Sequence, residues 1–198
     1  HLADAVLLDK TATITEGKPK VVKVNAFSRA EKEIMTLAYA LEKGSSHPLA
    51  NSIIEYAEAI PVEKLSTDSF EYISGKGIKG SINGKNYLAG SDKLLIEAGI
   101  ILPEVKEDTT KVYIAEENEL IGIIHITDKV KEGSKKAISR MKERGLKVAM
   151  LTGDNKRNAE AVARSVGLED FFAEVLPADK LNAVDELQKS GVTVMVGD

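Results

Sequence analysis

With 198 residues, the chain has room for one large domain or two small ones. Its net charge of -4 argues against a nucleic-acid binder that works by neutralising phosphates. The lack of cysteine excludes a disulfide framework and a thiolate metal site, and His1, His47 and His125 have no zinc-motif spacing. No apolar run reaches the ~18 residues of a membrane-spanning helix.

Taken in chain order, Ala5-Val6-Leu7-Leu8 predicts a strand buried on both faces, ending at Asp9. The run Lys10-Thr11-Ala12-Thr13-Ile14-Thr15 after it is crowded with hydroxyls. Ser28-Arg29-Ala30-Glu31 reads as a capping box opening a helix with Ile34, Leu37, Ala38 and Leu41 on one face and an end at Gly44. A second helix is expected from His47-Pro48 through Ile53, Ile54 and Ala57, with the proline in its first turn. Strands are expected over Phe70–Ile73, Gly80–Ile82, Tyr87–Ala89 and Val112–Ala115, with Asn83-Gly84 as a hairpin turn. Leu120 to Ile126 suits a further strand. Helices then follow over Gly133–Arg144, Asn155–Val166 and Ala178–Lys189, each ending near a glycine. They alternate with strands Val148–Leu151, which runs into Thr152-Gly153-Asp154, and Val192–Val196, which runs into Gly197-Asp198.

This alternation implies a doubly wound α/β domain with a parallel sheet, interrupted by an α+β insert. The outer domain is assigned residues 1–25 and 120–198, and the insert residues 26–119. The chain opens directly into a strand and stops just after one, so it is expected to be part of a longer protein. In such sheets functional groups gather at the carboxyl ends of the strands. Asp9, Thr152, Asp154 and Asp198 are expected to converge there.

Asp9 is the candidate nucleophile, since a positioned carboxylate can attack phosphorus. Taken alone, it reads as a strand-end aspartate capping a turn. Clustered strand-end carboxylates alter that weighing, because they repel unless a cation such as Mg²⁺ binds. Thr152 and the backbone N–H groups after it can hold a phosphate at a helix N-terminus, or can form a plain N-cap. Lys180 can neutralise transferring phosphoryl oxygens, or can be a solvated surface lysine. Gly75-Lys76-Gly77-Ile78-Lys79-Gly80 matches a dinucleotide fingerprint literally, but strand and hairpin follow it instead of a helix, so that reading is rejected.

Asp9–Thr15 resembles the phosphorylation motif of P-type ATPases. Thr152-Gly153-Asp154-Asn155, Leu176-Pro177-Ala178-Asp179-Lys180, Ile126-Thr127-Asp128-Lys129 and Val196-Gly197-Asp198 are similar to four further motifs of that family, in order and along essentially the whole chain. Ser45-Ser46-His47-Pro48-Leu49-Ala50 resembles the signature of the heavy-metal-transporting (P1B, CPx-type) subfamily. The resemblance implies a haloacid-dehalogenase-like phosphorylation domain with an inserted nucleotide-binding domain. It implies ATP and Mg²⁺ as cofactors, with Asp9, Thr11 (through its carbonyl) and Asp198 at the metal. Thr152 and Lys180 are implied on the phosphoryl oxygens, with Asp128 as hinge and Gly153 and Asp154 as structural support. Adenine is implied at Glu42, His47, Gly75 and Gly77. There the glycines would allow close approach and the two side chains would hydrogen-bond.

The resemblance further implies the cytoplasmic part of an integral membrane protein that pumps a heavy metal, copper being the preferred ion. Its partners would be transmembrane and actuator domains of the same polypeptide, with no nucleic acid, and the isolated chain would be a monomer. A haloacid-dehalogenase-type phosphatase and a non-hydrolysing nucleotide-binding module are the alternatives. Phosphatases of this superfamily usually carry a second aspartate two residues after the nucleophile. Thr11 stands there and is a poor general acid, which favours a lasting aspartyl phosphate. Ala12 replaces the family's glycine, and Ser91 stands where the subfamily often has asparagine. The metal loop is implied to continue beyond Asp198, so the isolated chain is expected to bind nucleotide but turn over little.

Overall fold

The computed structural model describes residues 3–45, 47–175 and 191–197. In chain order the elements are β1 (Ala5–Asp9), β2 (Lys20–Ala26), α1 (Glu31–Glu42), α2 (Pro48–Glu58), β3 (Ser69–Ile73), β4 (Gly77–Ile82), β5 (Lys85–Gly90), α3 (Asp92–Glu97), β6 (Thr110–Glu116), β7 (Glu119–Thr127), α4 (Ser134–Glu143), β8 (Lys147–Leu151), α5 (Lys156–Val166), β9 (Asp170–Phe172) and β10 (Thr193–Val196). They form two units, residues 1–18 with 128–198 and residues 19–127. The expected parallel sheet with an inserted α+β unit is present. The boundaries anticipated at 25 and 120 fall at the end of β2 and the start of β7. Those two strands pair antiparallel within the insert.

The first unit holds a parallel sheet of order β10-β1-β8-β9. Every residue of β1 is buried, as expected for a strand covered on both sides. Val6 and Leu8 pack with Ile138 of α4 and with Ala159 and Ala163 of α5. Leu7 packs to the other face with Ala149 and Leu151. β1 is flanked by β8, the next strand of this sheet along the chain, and by β10, its last described strand. The order therefore reverses direction at β1, and such a switch point opens a crevice at the carboxyl ends of the strands.

The second unit is an antiparallel sheet of order β2-β7-β6-β5-β4-β3. α1 and α2 cover one face through Ile34, Leu41 and Ile53, against Ile82, Val112 and Ile124. Leu94 and Leu95 of α3 pack on the other face with Tyr113, Ala115 and Ile123. Two glycines set how α1 lies. A side-chain carbon built on Gly122 of β7 would meet Ile34 at 2.8 Å, and one on Gly80 of β4 would meet Leu41 at 2.9 Å. The helix therefore crosses the sheet from β7 to β4, and its last residue, Glu42, arrives over β4.

Three local expectations are corrected. The capping box is shifted: Ala30, not Ser28, is the N-cap residue of α1, and its N–H donates to Glu33 Oε2 at 3.0 Å. The second half of the box therefore survives two residues later, while alanine supplies no capping oxygen. β2, α3 and β9 were not anticipated. β2 is a half-exposed edge strand with lysines among its valines, and α3 and β9 are too short for a periodic signal. The helix expected over Ala178–Lys189 lies outside the described residues. The Asn83-Gly84 turn forms as expected, both residues having positive φ (52° and 74°), which suits a tight hairpin. Among the described residues, no helix is long and apolar enough to cross a membrane.

Candidate active site

The strand register brings the first group of expected residues together. Leu8 lies level with Val196 of β10 and Asp9 level with Leu151 of β8. Thr152 follows Leu151 on one side of Asp9, and Gly197 follows Val196 on the other. A side-chain carbon on Gly197 would stand 2.9 Å from Asp9 Cβ, so glycine leaves the room that the aspartate occupies. Asp9 and Thr152 are both buried, at 8% and 3% exposure, as groups held in one position must be. Lys180 and Asp198 lie outside the described residues.

Asp154 finds a cation within the chain. Lys10 Nζ donates to its Oδ2 at 2.7 Å, and the lysine itself is buried. The repulsion argued for a strand-end acid cluster is therefore partly relieved without a metal. The pair also ties the segment after β1 to the turn after β8. Thr152 Oγ1 accepts from the N–H of Asp154 at 3.1 Å, and Asn155 caps α5 by accepting from the N–H of Asn158 at 3.0 Å. Two N–H groups of the expected phosphate cradle are thus engaged locally. Thr152 keeps its own O–H proton to donate, since a hydroxyl can accept and donate together. Gly153 is exposed at this turn.

Lys10–Ile14 makes one wide helical turn broken by Thr11 and Ala12. Thr11 is extended (φ -71°, ψ 133°) and exposed, and Ala12 is left-handed (φ 60°, ψ -12°). The Ala12 carbonyl accepts from Lys131 Nζ, and the Ile14 carbonyl accepts from Ser134 Oγ at 2.8 Å. A left-handed alanine costs ~1–2 kcal/mol, and glycine would return part of that as unfolded-chain entropy. Ala12→Gly is expected to stabilise the chain by roughly 0.5–1 kcal/mol, read by denaturant titration.

Asp128 opens the second half of this unit. Its Oδ2 accepts from the Thr15 hydroxyl at 2.6 Å and from the Gly17 N–H at 3.2 Å, and its Oδ1 from the Lys18 N–H at 3.0 Å. One carboxylate therefore fixes the chain as it leaves the unit, at the point where it returns. Bonds to a charged acceptor are worth ~1.5–3 kcal/mol. Asp128→Ala is expected to lower the unfolding free energy by about 2 kcal/mol, with Asp128→Asn intermediate, in the same titration.

The second group lies in the other unit. Glu42, 7% exposed, ends α1, and burial raises its pKa to about 7. His47 is the N-cap residue of α2, with Nδ1 accepting from the Leu49 N–H at 3.2 Å. This is the plain helix-cap role, and it leaves Nε2 to face other groups. Partial desolvation holds the imidazole below its ordinary pKa, so the neutral ring with Nε2–H is favoured.

Gly75 (φ 70°) and Gly77 (φ 144°) frame the turn from β3 to β4. A side-chain carbon on Gly77 would fall 2.2 Å from the Ala89 carbonyl oxygen and 2.6 Å from Gly90 Cα. The close approach argued for Gly77 is thus made first to the chain's own backbone, through β5. Lys76 pairs with Glu97 at 2.7 Å. Ser91 Oγ is buried without a hydrogen-bond partner, and its N–H donates to the Lys76 carbonyl at 2.8 Å. A concavity of about 510 Å³ in this unit is lined by Lys32, Thr36, Leu37 and Tyr87 among others, and by none of the four expected adenine residues.

A family model described as haloacid dehalogenase-like hydrolase matches residues 3–198, and the chain belongs to that family. Its relatives are more specific. It is 41% identical over 199 residues to the copper-exporting P-type ATPase B of Archaeoglobus fulgidus, covering 98% of this chain and 29% of that protein. It is 40% identical over 209 residues to the probable copper-importing P-type ATPase A of Enterococcus hirae, covering 100% of this chain and 28% of that protein. The chain therefore spans less than a third of the length of these relatives. The solved catalytic CPx-ATPase domain CopB-B matches with a TM-score of 0.76 at 25% identity, over 100% of this chain and 71% of that one.

Proposed function

We propose that the chain is the nucleotide-binding and phosphorylation part of a heavy-metal-transporting P-type ATPase, with copper as the transported ion. The observation that carries this reading is the register of the parallel sheet. It sets buried Asp9 between Thr152 and Gly197 at the carboxyl edge, where a phosphoryl group would be received. The similarity to two copper ATPases along the whole chain supports the ion. The transmembrane and actuator domains would be supplied by the rest of the polypeptide, with this part on the cytoplasmic side.

In this reading ATP is held by Glu42, His47 and the Gly75–Gly77 turn. An Asp9 carboxylate oxygen forms a bond to the γ-phosphorus while the bond from that phosphorus to the bridging oxygen breaks, and ADP leaves with the electron pair. The Thr152 hydroxyl donates to a phosphoryl oxygen, with Lys180 as its cationic partner. The donors proposed for the metal, the Asp9 carboxylate, the Thr11 carbonyl and Asp198, are all oxygens and would suit a hard cation. Mg²⁺ held there supplies neutralisation of phosphoryl charge. Thr11 offers no acid or base two residues after Asp9, so water is not activated from that position and the acyl phosphate persists.

The test is brief exposure of the full-length protein to ATP labelled at the γ-phosphate, followed by acid quench. A labelled protein that survives acid and is released by hydroxylamine is the expected result. Fast hydrolysis of phosphate monoesters with no retained label would overturn the reading in favour of a phosphatase.

A further inference from the structure

β3 is an edge strand of the six-stranded sheet, and its aromatic residues are placed unusually. Directly opposed residues of an antiparallel pair share a face. Phe70 is opposite Gly80 and Tyr72 is opposite Ile78. Gly80 faces α1, since a side chain there would run into Leu41. Ile82, two residues on, lies in the core beneath α1. Phe70 and Tyr72 therefore point to the helix-covered face. Ile73 points the other way, towards the cluster of α3.

The helices nevertheless stop short of these two rings. Phe70 is 44% exposed and Tyr72 54% exposed, and neither belongs to the core under α1 and α2. The strip they form has defined ends. Phe70 sits across from Gly80, against which Leu41 packs, and Glu42 is the next residue of α1. Tyr72 sits in the pair adjoining Ile73–Gly77, which closes the Gly75–Gly77 turn. The two rings lie two residues apart, ~7 Å along the strand, which matches the breadth of a fused two-ring base. The strip thus runs from the end of α1, at Glu42, to the Gly75–Gly77 turn, so its two ends meet proposed nucleotide residues.

We infer that Phe70 and Tyr72 form an aromatic wall on which the purine ring of the bound nucleotide stacks, with Glu42 and the Gly75–Gly77 turn addressing the edge of the base. The inference rests on the proposal that ATP binds at Glu42, His47, Gly75 and Gly77. Every base offers a flat π-face, and stacking on an aromatic side chain is lost on truncation to alanine. The wall acts on the base and ribonucleoside part of the ligand, and the triphosphate does not contribute to it. Adenosine should therefore sense these residues as strongly as ATP does, while inorganic tripolyphosphate should not sense them.

The experiment is calorimetric titration of the 198-residue chain with ATP, adenosine and tripolyphosphate, for the unaltered chain and for Phe70→Ala, Tyr72→Ala, Tyr72→Phe, Tyr72→Leu, Glu42→Gln and His47→Ala. Tyr72→Ala and Phe70→Ala are each expected to raise the Kd for ATP and adenosine by about tenfold or more. Tyr72→Phe should keep affinity. Tyr72→Leu should lose it despite retaining an apolar side chain. Both rings are half exposed, so circular dichroism and thermal unfolding should match the unaltered chain. The ring-proton resonances of Tyr72 should move upfield on adding adenosine, which reports stacking without any substitution. If Tyr72→Ala and Phe70→Ala bind normally while Glu42→Gln and His47→Ala bind weakly, the wall is wrong and the site stands. If all four bind normally, the site itself is wrong and the wall falls with it.

Discussion

Asp9→Asn in the full-length protein is expected to abolish the γ-phosphate label, with loss of more than about a thousandfold, the scale on which removal of a covalent nucleophile acts. The carboxamide keeps nearly the size and shape of the carboxylate, so the buried strand end should repack without strain. It cannot form an acyl phosphate, because the amide nitrogen and oxygen are poor nucleophiles towards phosphorus. Nucleotide binding is expected to persist, because Glu42, His47 and the Gly75–Gly77 turn belong to the other unit. Retention of both label and binding in Asp9→Asn would move the nucleophile elsewhere. Loss of both, with normal unfolding, would mean that Asp9 does not act through phosphorylation alone.

Glu42→Gln carries the next largest expectation, and its sign is opposite to that of an ordinary surface acid. Burial raises the Glu42 pKa to about 7 from an ordinary value of 4.5. Below pH 4.5 the carboxyl is protonated in both folded and unfolded chains and has no pH-dependent effect. Between pH 4.5 and 7 the folded chain keeps a proton that the unfolded chain has released, so stability falls as pH rises. Above pH 7 the loss is complete. At 1.36 kcal/mol per pKa unit it amounts to an upper bound of about 3 kcal/mol. Glutamine carries no titrating proton there. The difference in unfolding free energy between Glu42→Gln and the unaltered chain should therefore grow in favour of the variant from pH 4.5 to 7 and then level off. A difference independent of pH would show that Glu42 ionises freely in the folded chain. A carboxyl poised near neutrality can donate to a ring nitrogen of the base when protonated or accept from its amino group when ionised. In the proposed nucleotide site, that versatility would offset what the buried group costs in stability.

Much of the first unit was legible because its signals are local. Four consecutive buried residues before Asp9 define β1, and helical spacing over Ala159, Val162, Ala163 and Val166 defines α5. The glycine that ends α5, Gly167, has φ 78° as a left-handed cap requires. The motif order also set the candidate residues at strand ends. The proposed site residues were less legible where a visible structural contact already accounts for the residue. His47 is a helix cap by geometry, and Gly77 is first a packing glycine. Their sequence context carries the ligand reading, while their visible contacts carry the structural one.

By itself, the sequence determined the alternation of strand and helix, the insert within a parallel sheet, and the family through motifs each only a few residues long. The alternation and the insert follow from periodicity and composition within a short window, where solvent exposure is set by the repeat of the element, and the family follows from the resemblance of its motifs alone. Only the tertiary structure decided that Lys10 neutralises Asp154, that Asp128 of the returning segment holds the outgoing one at Thr15, Gly17 and Lys18, that Ala12 is left-handed, and that Phe70 and Tyr72 share the face of α1 yet stay uncovered. Each of these depends on register and approach between segments distant in the chain, or on where a helix ends above a sheet. No local pattern encodes such distances, because they are fixed by how the whole core closes.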